Sequence, residues 1–537
     1  MPFDGDTALL VLAWALGAGP LKFFCIIRHR AGSFTLRGHK PEEFIVVKLI
    51  KIAVALSVGL MTGTASAEVP YQFIAKQYTE VLGRAPDQSG WTYYANGFST
   101  SGCSQAMLRQ YGRQFYQSNE FASRGYNASE KVVVAYRGIL SREPSASEVG
   151  YWVTQLQNGI PWMTVVDNFF NNSEFASLVS RICMGRDYSA NGGRPYVITS
   201  SRDQATLQQQ LYTNGVVVLN PQEVVYLTST LYIPVGALLT TRDAVDANQT
   251  ARFGRLVRDR TFNGPLVELR GTMDKVWVDG QGGRLTSSSS VADNTVTAMQ
   301  GTIQNSRLSD PAGWTNLQAP EWCTGPVTIA NNLITGYANP HSGVGGWADG
   351  LSIACSGSTA RYNSIIDATD VGIIVFSRQS SAGWSGTNIV ARNNTVIAAG
   401  RSAYAGLAFD AGHQDGADFT GSYIQDNLLW TSPLQHFDIA LTMGTNPWDW
   451  GMGANATAIR NGSGSLRNTV HLGIVVDGML NATVLENNFS PVGVNTGIPC
   501  PQNSGVSAHF SPSPGHATGN IQGPTSNMTV HGCMYHP

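Results

Sequence analysis

Lysine all but disappears from this chain after Lys51: only Lys76, Lys131 and Lys275 follow. Charge of either sign is sparse, 13% of 537 residues, with a formal net charge of −2. Binding to a phosphate backbone needs a basic stripe, so nucleic acid is excluded as the main partner. Beyond residue 67 no run reaches the roughly 20 apolar residues that span a bilayer, which excludes a transmembrane segment in the mature chain. There is no Cys-x-x-Cys pair, no His-rich spacing and no acidic Ca²⁺ cage, so neither a metal nor a cofactor is expected.

What is present is glycine, 58 residues of it, with abundant Ser, Thr and Asn. That composition belongs to a folded protein long enough for more than one domain. Val47-Lys48-Leu49-Ile50-Lys51, the apolar run Ile52 to Met61 and the small residues Thr64-Ala65-Ser66-Ala67 have the three regions of a secretory signal peptide. Residues 1–67 are therefore expected to be a leader, with a start assigned too far upstream followed by the signal, and the mature protein to be secreted or periplasmic. Cys25 falls inside that segment. The six that remain, Cys103, Cys183, Cys323, Cys355, Cys500 and Cys533, are an even set suited to disulfides in an exported protein. Each successive pair lies within one sequence region, although connectivity stays open at this level.

Residues 68–185 carry a duplicated helical pattern. Tyr78 to Arg84 with Pro86 recurs as Tyr136 to Arg142 with Pro144, and Ser118-Asn119-Glu120-Phe121 recurs as Asn172-Ser173-Glu174-Phe175. Trp91, Tyr94, Tyr151, Trp152 and Phe170 are expected to fill the shared core. These motifs resemble a secreted bacterial module, domain of unknown function 4214, with its Leu-Gly-Arg-x-Pro turn, Gly-Tyr-Trp-like helix and terminal Ser-x-Glu-Phe. The resemblance covers about 115 residues and implies an accessory module that could associate the protein with a cell surface.

A polar linker is expected over 186–195, then a β-rich region over 196–490 that opens with a capping helix from Gln204 to Leu211, and a C-terminal capping tail over 491–537. Within the β region an Asn flanked by short β-runs recurs at Asn305, Asn332, Asn363, Asn394, Asn427 and Asn488, at intervals near 30 residues or a multiple. One coil per interval makes a solenoid. Asn suits a repeated turn because it tolerates left-handed geometry and its amide reaches the equivalent Asn one coil away. The pattern resembles the pectate-lyase-like superfamily, so the expected fold is mainly β: a right-handed parallel β-helix preceded by a small all-α domain.

A second repeated run aligns Gly350-Leu351, Gly372-Ile373, Gly406-Leu407, Asp438-Ile439 and Gly473-Ile474. Alternation would leave a glycine-rich outer floor able to admit a long ligand. It would also place Asp370, Tyr404 and His436 in one outward column with Asp438 beside it. Asp349, on the neighbouring coil, would bring its carboxylate within roughly 5–6 Å of Asp370, near the spacing of a retaining glycosidase pair, although strict alternation turns it inward. Asp410 falls about 20 Å along the strand, outside that group. Trp347, Trp384, Trp430, Trp448 and Trp450 offer faces for sugar rings, while Arg378 and the His413 loop could touch a polymer.

The function expected from this pattern is endo-acting hydrolysis of a polysaccharide, with Asp349 and Asp370 as the catalytic pair and Asp410 or Asp438 in support. A polysaccharide lyase using Tyr404 or His436 as base is the first alternative, and a non-catalytic β-helical adhesin or carbohydrate-binding protein the second. Gly-His-Gly, Arg-Ile-Lys and Asp-Pro-His elements are absent, which disfavours polygalacturonases and mannuronan epimerases.

Overall fold

The computed structural model describes residues 69–185, 202–281, 294–336, 348–444, 451–463 and 470–489, apart from isolated positions (244, 245, 247, 260, 378, 381, 382, 385, 413 and 434), together with strands at 508–510, 517–521 and 528–530. Among these residues no helix is long and apolar enough to cross a membrane.

The helical region contains two similar units. Tyr71–Lys76 runs into a π-helical turn, Gln77–Val81, and is followed by helices Gln88–Ser101, Gln105–Gln117 and Asn119–Ser123. Ala128–Ala135 runs into the π turn Tyr136–Leu140 and is followed by Ala146–Gln157, Trp162–Asn171 and Ser173–Cys183. The duplicated motifs have a physical reason. Arg84 of the first turn donates to both carboxylate oxygens of Glu120, at 2.6 and 2.9 Å, and Arg142 makes the same fork with Glu174. Each pair ties the Arg-x-Pro turn to the first turn of its unit's last helix. The Cys103–Cys183 disulfide then links the two units.

From Val216 onward the chain winds through three parallel sheets, of 13, 9 and 11 strands, in a right-handed solenoid, the sense nearly all parallel crossovers take. Its bore is a stack of aliphatic columns, such as Leu256, Val278, Leu308, Ile334, Ile365, Val396 and Leu429 on the second sheet. Helix Gln204–Asn214 closes the N-terminal end with Leu207 and Leu211. Cys323 and Cys355 form a second disulfide. Such bonds form in oxidising compartments. Cys500 and Cys533 lie outside the described residues. Strands Ala508–Phe510, Ala517–Ile521 and Met528–Val530 continue the parallel pairing beyond residue 490.

The asparagine ladder keeps four of its expected rungs, gains Asn461, and has Asn487 in place of Asn488. It comprises Asn332, Asn363, Asn394, Asn427, Asn461 and Asn487, each amide donating to a backbone carbonyl of the preceding coil and each but the last also to the next Oδ1 at 2.8–3.0 Å. Asn305 and Asn488 are not rungs. The left-handed conformation falls instead on the residue before each rung, at Asn331, Tyr362, Asn393, Asp426, Arg460 and Glu486. Bridging and backbone tolerance are thus divided between neighbours, and only bridging demands Asn. Every rung is buried and fully bonded, so Asn394→Ala would strand donors on Asn363 and the carbonyl of Ala360. We expect a loss of about 2–3 kcal/mol in urea unfolding; a loss below about 0.5 would mean water replaces the rung.

The helical region is packed directly onto the second sheet. Trp91, Ile139 and Phe169 share one apolar core with Leu333, Ile366, Ile397 and Trp430 of that sheet, and the Trp91 and Trp430 rings meet edge to face at 5.5 Å. Trp430 is therefore interior and unavailable to a sugar. Beside this core, Arg255, Trp277 and Arg307 stack on successive coils, each guanidinium within 4 Å of the indole centroid. Glu143 accepts from Arg255 at 2.6 Å, and Glu80 pairs with Arg307.

Candidate functional site

The third sheet carries the acidic residues. Its relevant strands are β1 (Thr315–Ala319), β2 (Asp349–Ile353), β3 (Val371–Phe376), β4 (Ala403–Asp410), β5 (Phe437–Met443) and β6 (Val470–Val476). Several of its ladders skip a residue: Thr315 pairs with Asp349 and then Leu317 with Leu351, Val371 pairs with Ala405 and then Ile373 with Leu407, and Ile439 pairs with Ala405 and then Leu441 with Leu407. The skipped positions include Gly350, Gly372, Gly406 and Ala440. They are not an open floor for a ligand. A Cβ on Gly372 would lie 2.4 Å from Val396 Cγ1, and one on Gly406 would lie 2.0 Å from Leu429 Cδ2, so these residues face the bore, as do Ile373 and Leu407 next to them. Two consecutive inward residues break the alternation and make a kink repeated from coil to coil.

The kink decides where the acids go. Asp349, expected to turn inward, faces outward on the same side as Ser352, whose hydroxyl donates to Asp349 Oδ2 at 2.6 Å. Val371 N donates to Asp349 Oδ1 at 3.1 Å. Asp370 precedes β3, held by its own N–H on Ala348 O at 3.2 Å. The register also moves one member of the expected column. Asp370, Tyr404 and Asp438 stand in line, whereas His436 lies two residues earlier, with Nε2 3.2 Å from Asp438 Oδ1. The reason is the pairing of Leu407 with Leu441 rather than Ile439. Tyr404 is only 6% exposed, which counts against a role as a base acting on a polymer.

Asp410 belongs to the same group, against the expectation that it lay about 20 Å off. It lines a pocket of about 440 Å³ with Asp349, Ser352, Ile374, Phe376 and, from the preceding coil, Trp314, Thr315 and Gln318. The pocket it shares with Asp349 and the reach of its charge to both other acids put it nearer than a count along a straight strand suggested. Electrostatics agree. Burial, then the charge of Asp370 and more weakly that of Asp410, push the Asp349 carboxyl well above the usual range, although Ser352 and Val371 N oppose the shift. Burial and the Asp410 charge raise Asp370 to about 6. The group holds carboxylates that resist ionising together, an arrangement suited to giving and taking a proton across a bound ligand.

Asp367, at φ +59° in the turn before Asp370, accepts from the N–H groups of Ala399, Gly400 and Arg401 through Oδ1, at 2.7, 2.9 and 3.3 Å. Burial outweighs these bonds and raises its pKa to about 6. A raised folded-state pKa means that the native state binds the proton more tightly, so stability present below the unfolded value near 4 is lost as pH rises through 6. Two units amount to roughly 3 kcal/mol. Asp367→Asn is expected to flatten this decline between pH 4 and 7 in urea midpoints; an unchanged slope would show that Asp367 is ionised without cost.

Of the binding residues expected from sequence, the side chains of Trp347, Arg378, Trp384, His413, Trp448 and Trp450 all lie outside the described residues. Sequence reasoning missed Trp314 and Gln318. The coil holding Trp314 lacks the glycine that aligned its neighbours, and only the pairing of β1 with β2 places it.

The model of a family described as a domain of unknown function, DUF4214, matches residues 112–179. No curated protein sequence matches the chain. Among solved structures, the chain is similar to endo-xylogalacturonan hydrolase from Aspergillus tubingensis, at 12% identity and TM-score 0.35, over 63% of this chain and 97% of that one. It is similar to the tailspike of E. coli bacteriophage HK620 in complex with a pentasaccharide, at 12% identity and TM-score 0.35, over 66% of each chain. It is also similar to PfbA, a surface adhesin of Streptococcus pneumoniae, at 12% identity and TM-score 0.33, over 57% of this chain and 86% of that one. No residue role is carried over from them.

Proposed function

We propose that the protein is a secreted glycoside hydrolase that cleaves a polysaccharide lying across the third sheet. The observation that carries this reading is the outward group of Asp349, Asp370 and Asp410, in which burial raises two carboxyls, with the charges of Asp370 and Asp410 adding to the shift of Asp349 and that of Asp410 to the shift of Asp370. Asp349, whose carboxyl burial and neighbouring charge push well above the usual range, is the proton-holding member and acts as the general acid on the glycosidic oxygen. Asp370, with its pKa about 6, is mostly ionised at pH 7 and serves as base or nucleophile. Burial, reinforced by the Asp410 charge, keeps both values high. The His436–Asp438 pair flanks the group and contacts substrate or supports its neighbours.

The test is to incubate the purified protein with neutral and acidic polysaccharides while following reducing ends and the ultraviolet absorbance of unsaturated uronates. New reducing ends without absorbance are expected. Absorbance would make the protein a lyase, and binding without cleavage would make it an adhesin.

A further inference from the structure

We propose that the outer face of the first sheet, a different sheet from the one that carries the acids, is a binding surface for an acidic polysaccharide whose carboxylates are held by Arg361 and Arg392. This is a statement about binding and does not rest on the hydrolase reading. Strands Thr359–Arg361, Val390–Arg392 and Tyr423–Gln425 lie on successive coils, with Arg361 in register with Arg392 and Arg392 with Gln425. The middle residues Ala360, Ala391 and Ile424 are fully buried. Alternation therefore turns the residues on either side of them outward, and all of these keep contact with solvent.

Arg361 and Arg392 are like charges on adjacent coils, about 4.8 Å apart at the backbone, and like charges at directly facing positions destabilise a sheet. Their neighbours in the column, Ala330 and Gln425, carry no charge to offset them. Other cations of the same sheet and its turns sit against carboxylates: Arg460 forks onto Asp426 at 2.8 and 2.9 Å, and Lys275 lies 3.8 Å from Asp274. The sign of the ligand follows from the two positive charges that are present. A uronate carboxylate can accept two parallel N–H bonds from a guanidinium, which turns the repulsion into a shared attraction. Two cations are far fewer than a phosphate backbone requires.

Tyr362 is an independent observation. It directly follows Arg361, adopts φ +56°, and donates its N–H to the Arg392 carbonyl at 3.4 Å. Left-handed geometry is costly for a bulky side chain and easy for Asn, which holds the matching positions on the coils either side, Asn331 and Asn393. The ring recovers little of that cost by packing, since it is 57% exposed. An aromatic face kept open where its backbone is disfavoured is accounted for by an external contact, and the C–H face of a sugar ring suits it. Tyr423, 38% exposed, offers a second such face one coil beyond Arg392. Thr328, Thr359 and Thr457 share the column of Tyr423, and their hydroxyls can donate to or accept from sugar hydroxyls. These groups recur along the solenoid axis, so they match a linear chain of sugars.

The experiment is affinity gel electrophoresis of the full protein in gels containing polygalacturonate or alginate, with barley β-glucan as a neutral probe and dextran sulfate as an anion without uronates. It is repeated with Asp349→Asn so that cleavage does not remove the ligand. Retardation is expected from at least one polyuronate and not from β-glucan, and it should weaken as salt is raised. Arg361→Gln combined with Arg392→Gln should weaken it about tenfold or more, the loss expected when charge-assisted hydrogen bonds are removed. Tyr362→Asn should also weaken it while leaving the urea midpoint unchanged or higher, a combination that a merely structural role for the ring would not give. No retention by either polyuronate, equal retention by dextran sulfate, or retention indifferent to the arginine variant or to Tyr362→Asn overturns the inference. The hydrolase reading is judged separately, by release of reducing ends from the wild type, and can fail while this binding stands.

Discussion

Replacing Asp349 with asparagine is expected to lower kcat by about 10³-fold, within the range attributed to a positioned general acid or base, with little change in KM. Asparagine has the same shape, and its carbonyl oxygen can still accept from Ser352 or from Val371 N, so the groove should persist. What it lacks is a transferable proton. Asp370→Asn should cost a similar factor for the opposite reason, since it removes the group that must be ionised. The two are separable by substrate: an aryl glycoside whose leaving group needs no protonation should rescue Asp349→Asn and not Asp370→Asn. They are also separable by pH. Wild-type rates should rise as Asp370 ionises near pH 6 and fall again where Asp349 loses its proton, and the falling limb should vanish in Asp349→Asn. Initial rates between pH 4 and 9 would check this, and a variant with unimpaired turnover at either position would remove that residue from the mechanism.

The second large effect concerns stability. Arg255 is 5% exposed, bonded to both Glu143 and Asp279, and stacked at 3.8 Å on Trp277. Arg255→Leu leaves Glu143 with Arg137 and takes from Asp279 its ion pair with Arg255, leaving its hydrogen bonds from Gln281. Breaking a buried pair on one side typically costs 3–5 kcal/mol because the remaining charge stays desolvated, and about that loss is expected here. The pH dependence has a definite sign. Burial alone would raise the Glu143 carboxyl, but Arg137 and Arg255 outweigh it and hold it at about 2. This contribution is therefore complete above the unfolded value near 4.5 and is lost as pH falls toward 2. Urea unfolding of wild type and variant at pH 7 and pH 3 would test both statements; a difference below about 1 kcal/mol at pH 7 would mean that the cluster is hydrated.

Such a cluster also bears on the role of the helical region. Glu80, Glu130 and Glu143 all reach arginines of the β-helix, and the apolar faces of Leu333, Ile366, Ile397 and Trp430 are covered only in its presence. Whatever surface this region offers to a partner, it is also the wall of the second sheet.

The solenoid was legible in the sequence because its determinants are local and repeated. A coil must turn at the same place each time, the buried amide of each rung needs an identical partner on the next coil, and that requirement writes Asn332, Asn363, Asn394 and Asn427 at readable intervals. The paired Leu-Gly-Arg and Ser-x-Glu-Phe motifs were legible for the same reason, although their joining through Arg84 and Glu120 was not. The acids themselves were visible as residues, and Asp349 and Asp370, expected as neighbours, feel each other's presence through the Asp370 charge acting on Asp349. Their directions were decided only by tertiary structure. A strand read as straight alternates strictly, and a single kink at Gly350, Gly372 and Gly406, imposed by the crowding of Ile365, Val396 and Leu429 across the bore, reverses which side chains face the groove. That kink turned Asp349 outward, into the pocket it shares with Asp410, and the register of β4 with β5 exchanged His436 for Asp438. The sequence by itself determined the coil, because each coil repeats its own local interactions; the third dimension decided the site, because it is assembled across coils whose register depends on what packs behind them.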